Sequence, residues 1–114
     1  MDFISILKLI AVLLTIAIGL FSAFRPWSVT TFTGLETVGS RGTTEIRSIL
    51  GGVFIGLGLA PLLLNAPAAY QVVGIVYLVT AGVRAASTAI DRTPHQSNLI
   101  SLISEFVLGI ILIL

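Results

Sequence analysis

The sequence contains no cysteine, which excludes disulfides, thiol nucleophiles, covalent haem attachment and cysteine-ligated metals. Charge is nearly as scarce. Six Lys or Arg and five Asp or Glu in 114 residues leave a net charge of +1, with no basic stripe for nucleic acid and no acidic tail. The single histidine, His95, follows Pro94 in a polar stretch without a carboxylate cluster, so it reads as a solvated loop residue rather than a metal ligand. No nucleophile–base pair, phosphate loop or dinucleotide fingerprint is present. What abounds is apolar. Hydrophobic residues make up 56% of the chain and mean hydropathy is +1.11, whereas a soluble domain carries about 25% charged residues. The composition is that of an integral membrane protein with one domain, residues 1–114.

Four apolar runs approach the ~20 residues that a bilayer crossing needs. They predict helices over 3–24, 44–64, 69–89 and 98–114. The first differs from a cleavable signal peptide in its acidic start at Asp2, its long apolar part and its lack of an A-x-A site, so a retained helix is expected. Residues 25–43 form a polar link with Trp27, Phe32 and Leu35 scattered through it, as suits the headgroup level. Asn65 and Pro67 mark a tight turn, and Ser97 or Asn98 is placed to cap the last helix. Four crossings put both termini on one face. That face carries Lys8, while Arg25, Arg41, Arg47, Arg84 and Arg92 fall on or near the other. By the positive-inside rule both termini are expected outside the cytoplasm.

Within the second run, Ser48, Gly52, Gly56 and Ala60 recur every four residues, with Gly51 and Gly58 beside them. Helices in lipid associate through close backbone approach, which small residues permit, so this ridge predicts a helix contact within the chain or between copies. A weaker ridge runs through Ala81 with Ala85 and Gly82 with Ala86.

The charges form the second pattern. Glu105 lies about seven residues into the last helix, roughly 10 Å deep at 1.5 Å per residue. Asn98, Ser101 and Gly109 share its face, and Arg84 lies at similar depth in the third helix. Ionisable groups at such depth are expensive and face protein or water. Topology puts Glu45, Arg47, Arg84, Asp91 and Glu105 in one half of the membrane, with Glu105 expected opposite Arg84 or Arg47. Such a cluster serves either as a structural clasp or as a site for a proton, an anionic ligand or a headgroup.

The run E-I-R-S-I-L-G-G, with a third helix bearing Arg84 and followed by Asp91, and Glu105 in the fourth, resembles an uncharacterised bacterial family of four-helix integral membrane proteins. That family is catalogued as a domain of unknown function. Its Glu-x-Arg-x-x-x-Gly-Gly motif falls here on Glu45, Arg47, Gly51 and Gly52. The resemblance implies a bacterial membrane protein, hence the inner membrane, and implies no activity. The length also resembles the small multidrug-resistance transporters. Their coupling glutamate lies in the first helix, however, where this chain has no acid beyond Asp2.

The expectation is therefore an all-α, four-helix membrane bundle without enzymatic activity. It would act as a homo-oligomer or an accessory subunit of a larger membrane complex. Its expected partners are lipid and other transmembrane helices, not nucleic acid, and it needs no cofactor beyond contact with bound lipid or pigment. The alternative is a small proton-coupled transporter, or a binder of a lipophilic or anionic ligand, that uses the Glu/Arg cluster.

Overall fold

A computed structural model describes residues 2–114. Five helices follow in order: α1 Phe3–Phe24, α2 Pro26–Thr33, α3 Gly39–Leu64, α4 Pro67–Asp91 and α5 Gln96–Ile113. The described residues contain no strand. Four helices, α1, α3, α4 and α5, with 22, 26, 25 and 18 residues, are long and apolar enough to cross a membrane. At 1.5 Å per residue, α1 is about 33 Å long, against a hydrocarbon core of about 30 Å.

Local chemistry sets the ends. The Asp2 carboxylate accepts a hydrogen bond from the Ser5 amide (2.8 Å) and caps α1 at its start. Pro26 opens α2, where its missing N–H is no loss, and Gly34 closes it in the left-handed region (φ 79°). The link expected over residues 25–43 thus contains a two-turn helix, and α3 starts at Gly39, ahead of residue 44. Asn65 ends α3 with φ 50°, and Pro67 opens α4, so the turn between them is shorter than the four residues expected. Neither Ser97 nor Asn98 caps α5. His95 holds that position and both lie inside the first turn, where the Asn98 side chain is taken up by tertiary hydrogen bonds.

The middle of α3 departs from α-helical form. Over Ile46–Val53 it is a π-helix, with hydrogen bonds reaching one residue further back, before α-helix resumes at Phe54. This stretch holds Arg47, Gly51 and Gly52.

The chain forms two compact units. One, Val12–Asn65, contains the later part of α1, then α2 and α3. In it α1 and α3 run antiparallel at very close range. A Cβ added at Gly19 would lie 2.7 Å from the Gly51 carbonyl oxygen and 2.7 Å from the Ile55 nitrogen. One added at Gly51 would lie 3.0 Å from the Ala23 Cβ, and one at Gly58 would meet Ile16 and the Val12 carbonyl. The other unit joins the start of α1, up to Ala11, with Ala66–Leu114. In this unit α4 packs along α5. Gly74 and Gly109 let the two backbones approach at one end: a Cβ on Gly74 would lie 3.0 Å from the Gly109 carbonyl oxygen. Val73, Tyr77, Ala81 and Leu112 are buried.

Candidate functional site

The most extensive polar network lies on the α4–α5 hairpin. Arg84 stands nearly two turns before the end of α4, and Glu105 stands mid-helix on α5. The guanidinium grips the carboxylate with two parallel hydrogen bonds, Nε to Oε1 at 2.7 Å and Nη2 to Oε2 at 2.9 Å. This fork-on-fork geometry is the strongest arrangement open to the pair. The Glu105 side chain is 12% exposed and that of Arg84 33%.

A network extends from this pair to the loop. Arg84 Nη1 donates to Asn98 Oδ1 at 3.1 Å. The Asn98 amide in turn donates to the Thr88 hydroxyl (2.7 Å) and to the Thr93 carbonyl (2.8 Å). The Thr88 hydroxyl donates back to the Arg84 carbonyl at 2.7 Å. Three turns of two helices and their connecting loop are thereby tied together. Among the described residues no buried side-chain nitrogen or oxygen lacks a partner. Beside the network opens a cleft of about 430 Å³, lined by Val79, Val83, Arg84, Ser87, Thr88 and Asn98 among others.

The five charged residues expected as one cluster divide between the two units. Arg84, Asp91 and Glu105 belong to the α4–α5 unit, where Asp91 is exposed on the last turn of α4. Glu45 and Arg47 belong to the α1–α3 unit. Glu45 pairs with Arg41 one turn away, an exposed ion pair of the kind that contributes little. Arg47 Nε donates to the Ala23 carbonyl at 3.1 Å. Ala23 lies in the last turn of α1, where carbonyls have no helical partner and a cation is favoured by the helix dipole. Arg47 thus caps α1 from across the unit.

The ridge residues Ser48, Gly52 and Gly56 are exposed, and nothing lies within 4 Å of a Cβ built at Gly52 or Gly56. Ala60 is half-buried. Inside the unit the contact with α1 is made instead by Arg47, Gly51, Ile55 and Gly58, one residue away around the helix. Gly19 is the contact residue that the sequence reading missed. The signal that would have found it is the same spacing of four in α1, Thr15–Gly19–Ala23.

Among the described residues no group of three His, Cys, Asp or Glu is placed to hold a metal. No curated protein and no solved structure matches the chain. The profile of a domain of unknown function, DUF4345, matches residues 3–114, so the chain belongs to that family.

Proposed function

We propose that this is a non-enzymatic protein of the bacterial inner membrane, a four-helix bundle with both termini on the non-cytoplasmic face. It works by packing against other transmembrane helices, as a homo-oligomer or as a small accessory subunit of a larger complex. The observation that carries this reading is the outer face of α3. Ser48, Gly52 and Gly56 stand exposed at helical spacing, with open space where side chains on Gly52 and Gly56 would be, although the same helix already uses Gly51 and Gly58 against α1. A second small stripe on one helix offers backbone-close contact to a further helix.

The absence of native cysteine makes the test clean. A single cysteine at Gly52 should cross-link two copies, or a copy to its partner, in native membranes, whereas one at Val72 on α4 should not. Gly52→Leu with Gly56→Leu should abolish the cross-link reported from Ser48→Cys and leave the fold intact, since both side chains project into open space. A chain that stays monomeric in mild detergent, with no co-purifying partner and no cross-link, would remove the proposal's support.

The cleft beside Arg84 favours a second reading, a ligand binder or proton-coupled transporter. It ranks below the first because Glu105 already matches the Arg84 charge. Glu105→Gln separates the two: a transporter loses pH-dependent flux while staying folded, and a clasp loses stability.

A further inference from the structure

We infer that residues 25–38 form an interfacial anchor, lying in the headgroup and upper acyl region of a neutral phospholipid surface. The segment leaves α1 at Phe24, the end of a helix long enough to cross the bilayer, so covalent continuity holds it at the membrane boundary. Its inner side is fixed by the buried residues Pro26 and Val29. Trp27, Phe32, Leu35 and Val38 are left exposed by 57%, 44%, 51% and 89%. An apolar surface of that kind, outside the crossing helices, needs an apolar cover.

The polar groups of the segment suit partial burial in lipid. The Thr30 hydroxyl donates to the Trp27 carbonyl at 2.7 Å, Thr31 to the same carbonyl at 3.2 Å, and Thr33 to the Val29 carbonyl at 2.7 Å. Three of the segment's five hydroxyls are therefore turned back onto the helix. The Arg25 guanidinium lies 5.6 Å from the centre of the Trp27 ring, a cation–π pair with a charged end and an apolar end. Tryptophan of this amphipathic kind settles at the membrane–water boundary.

Charge selects the lipid. Arg25 and Glu36 are the only charged residues in the segment, so its net charge is zero. Binding therefore rests on apolar area, with the side chains about 5–10 Å into the interface, and gains nothing from anionic headgroups.

Trp27 is the only tryptophan, so its fluorescence reports this segment alone. The full chain is reconstituted into phosphatidylcholine vesicles brominated either near the glycerol end of the acyl chains or near their tips. Emission should be blue-shifted from that of a water-exposed indole and quenched more by the shallow bromines. Adding phosphatidylglycerol or salt should leave the quenching unchanged. In single-cysteine variants, a membrane-impermeant maleimide should label Val38→Cys far more slowly in vesicles than Glu36→Cys. Water-like emission, or fast labelling at Val38, overturns the inference. Blue-shifted emission that neither bromine position quenches overturns it in favour of a protein cover, and quenching that rises with phosphatidylglycerol overturns the choice of lipid.

Discussion

Breaking the Arg84–Glu105 pair from one side should destabilise the hairpin far more than replacing both partners. The carboxylate accepts two charge-assisted hydrogen bonds, at 2.7 and 2.9 Å, in surroundings that leave it 12% exposed. Removing one member of a buried pair costs about 3–5 kcal/mol, because the other charge is left without compensation. A third of Arg84 remains exposed, so the figure for Glu105→Leu belongs at the lower end, about 3 kcal/mol. Arg84→Met also strands the Asn98 carbonyl oxygen, a further loss of about 1 kcal/mol. If the residues acted independently, the double variant would lose about 7 kcal/mol. As a clasp, with both charges replaced by apolar groups of similar size, it should lose only about 1–2 kcal/mol. The coupling of about 5 kcal/mol is between three and four powers of ten in the unfolding equilibrium. Ala81, 4% exposed on the same hairpin, supplies the reporter: with Ala81→Cys in all four proteins, thiol labelling in graded denaturing detergent measures the opening of α4 from α5. Additive losses in the double variant would refute the clasp.

Gly19→Ala should destabilise the α1–α3 unit by about 1–3 kcal/mol, since the new methyl would lie 2.7 Å from backbone atoms that cannot swing aside; thermal unfolding in detergent measures it. Gly52→Ala, with open space around the added methyl, should leave monomer stability unchanged or raise it by up to about 1 kcal/mol through helix propensity in the same assay. Arg47→Met removes the cation that caps the Ala23 carbonyl and should lower stability by about 0.5–1 kcal/mol, with faster amide exchange in the last turn of α1. Asp2 titrates below its ordinary value of 3.8, because hydrogen bonds from Ser5, its hydroxyl first and then its amide, favour the carboxylate. A depressed folded pKa means that the cap is present above the unfolded value and is lost as pH falls through the folded one. The carboxyl resonance of Asp2 should therefore show a titration midpoint under 3.8, and Ser5→Ala should move it upward.

The four long helices were legible because twenty apolar residues have few other physical outcomes, and the predicted α1 coincides with Phe3–Phe24. Their ends were less so. Gly39–Thr43 carries no apolar periodicity, yet it is helical because α3 continues backwards from its apolar run, with Gly42 close against Thr37. That Glu105 would find a basic partner was readable, since ionisable groups in apolar helices demand one, and Arg84 is that partner. The choice between Arg84 and Arg47, the two bases expected opposite Glu105, was not, because it depends on helix rotation about its axis. Asn98 illustrates the same limit. Its position invited a cap, but tertiary bonds to Arg84, Thr88 and Thr93 outcompete the local one.

The glycine-rich stretch of α3 shows why spacing alone could not choose a face. Two stripes of spacing three or four run side by side: Ser48–Gly52–Gly56–Ala60, and Arg47–Gly51–Ile55–Gly58, which runs one residue before it and ends two before it. One residue is about 100° of rotation on an α-helix and somewhat less in the π-helical part, so only one stripe can face α1 squarely. The all-small stripe looks better in sequence, and the structure uses the other. Arg47 belongs to the stripe that turns inward. For its side chain to cap the end of α1, the face beginning at 47 must turn inward, and Gly51 and Gly58 then stand where a larger side chain would meet the α1 backbone. The π-helix falls on this stretch, Ile46–Val53, and an added residue per hydrogen-bonded ring shifts the register between the polar start of α3 and its apolar remainder. Charge and glycine in this segment are thus not two unrelated oddities. The arginine caps the end of α1 and the glycines of its own stripe permit the approach. The neighbouring glycines, Gly52 and Gly56, are left over and face outward.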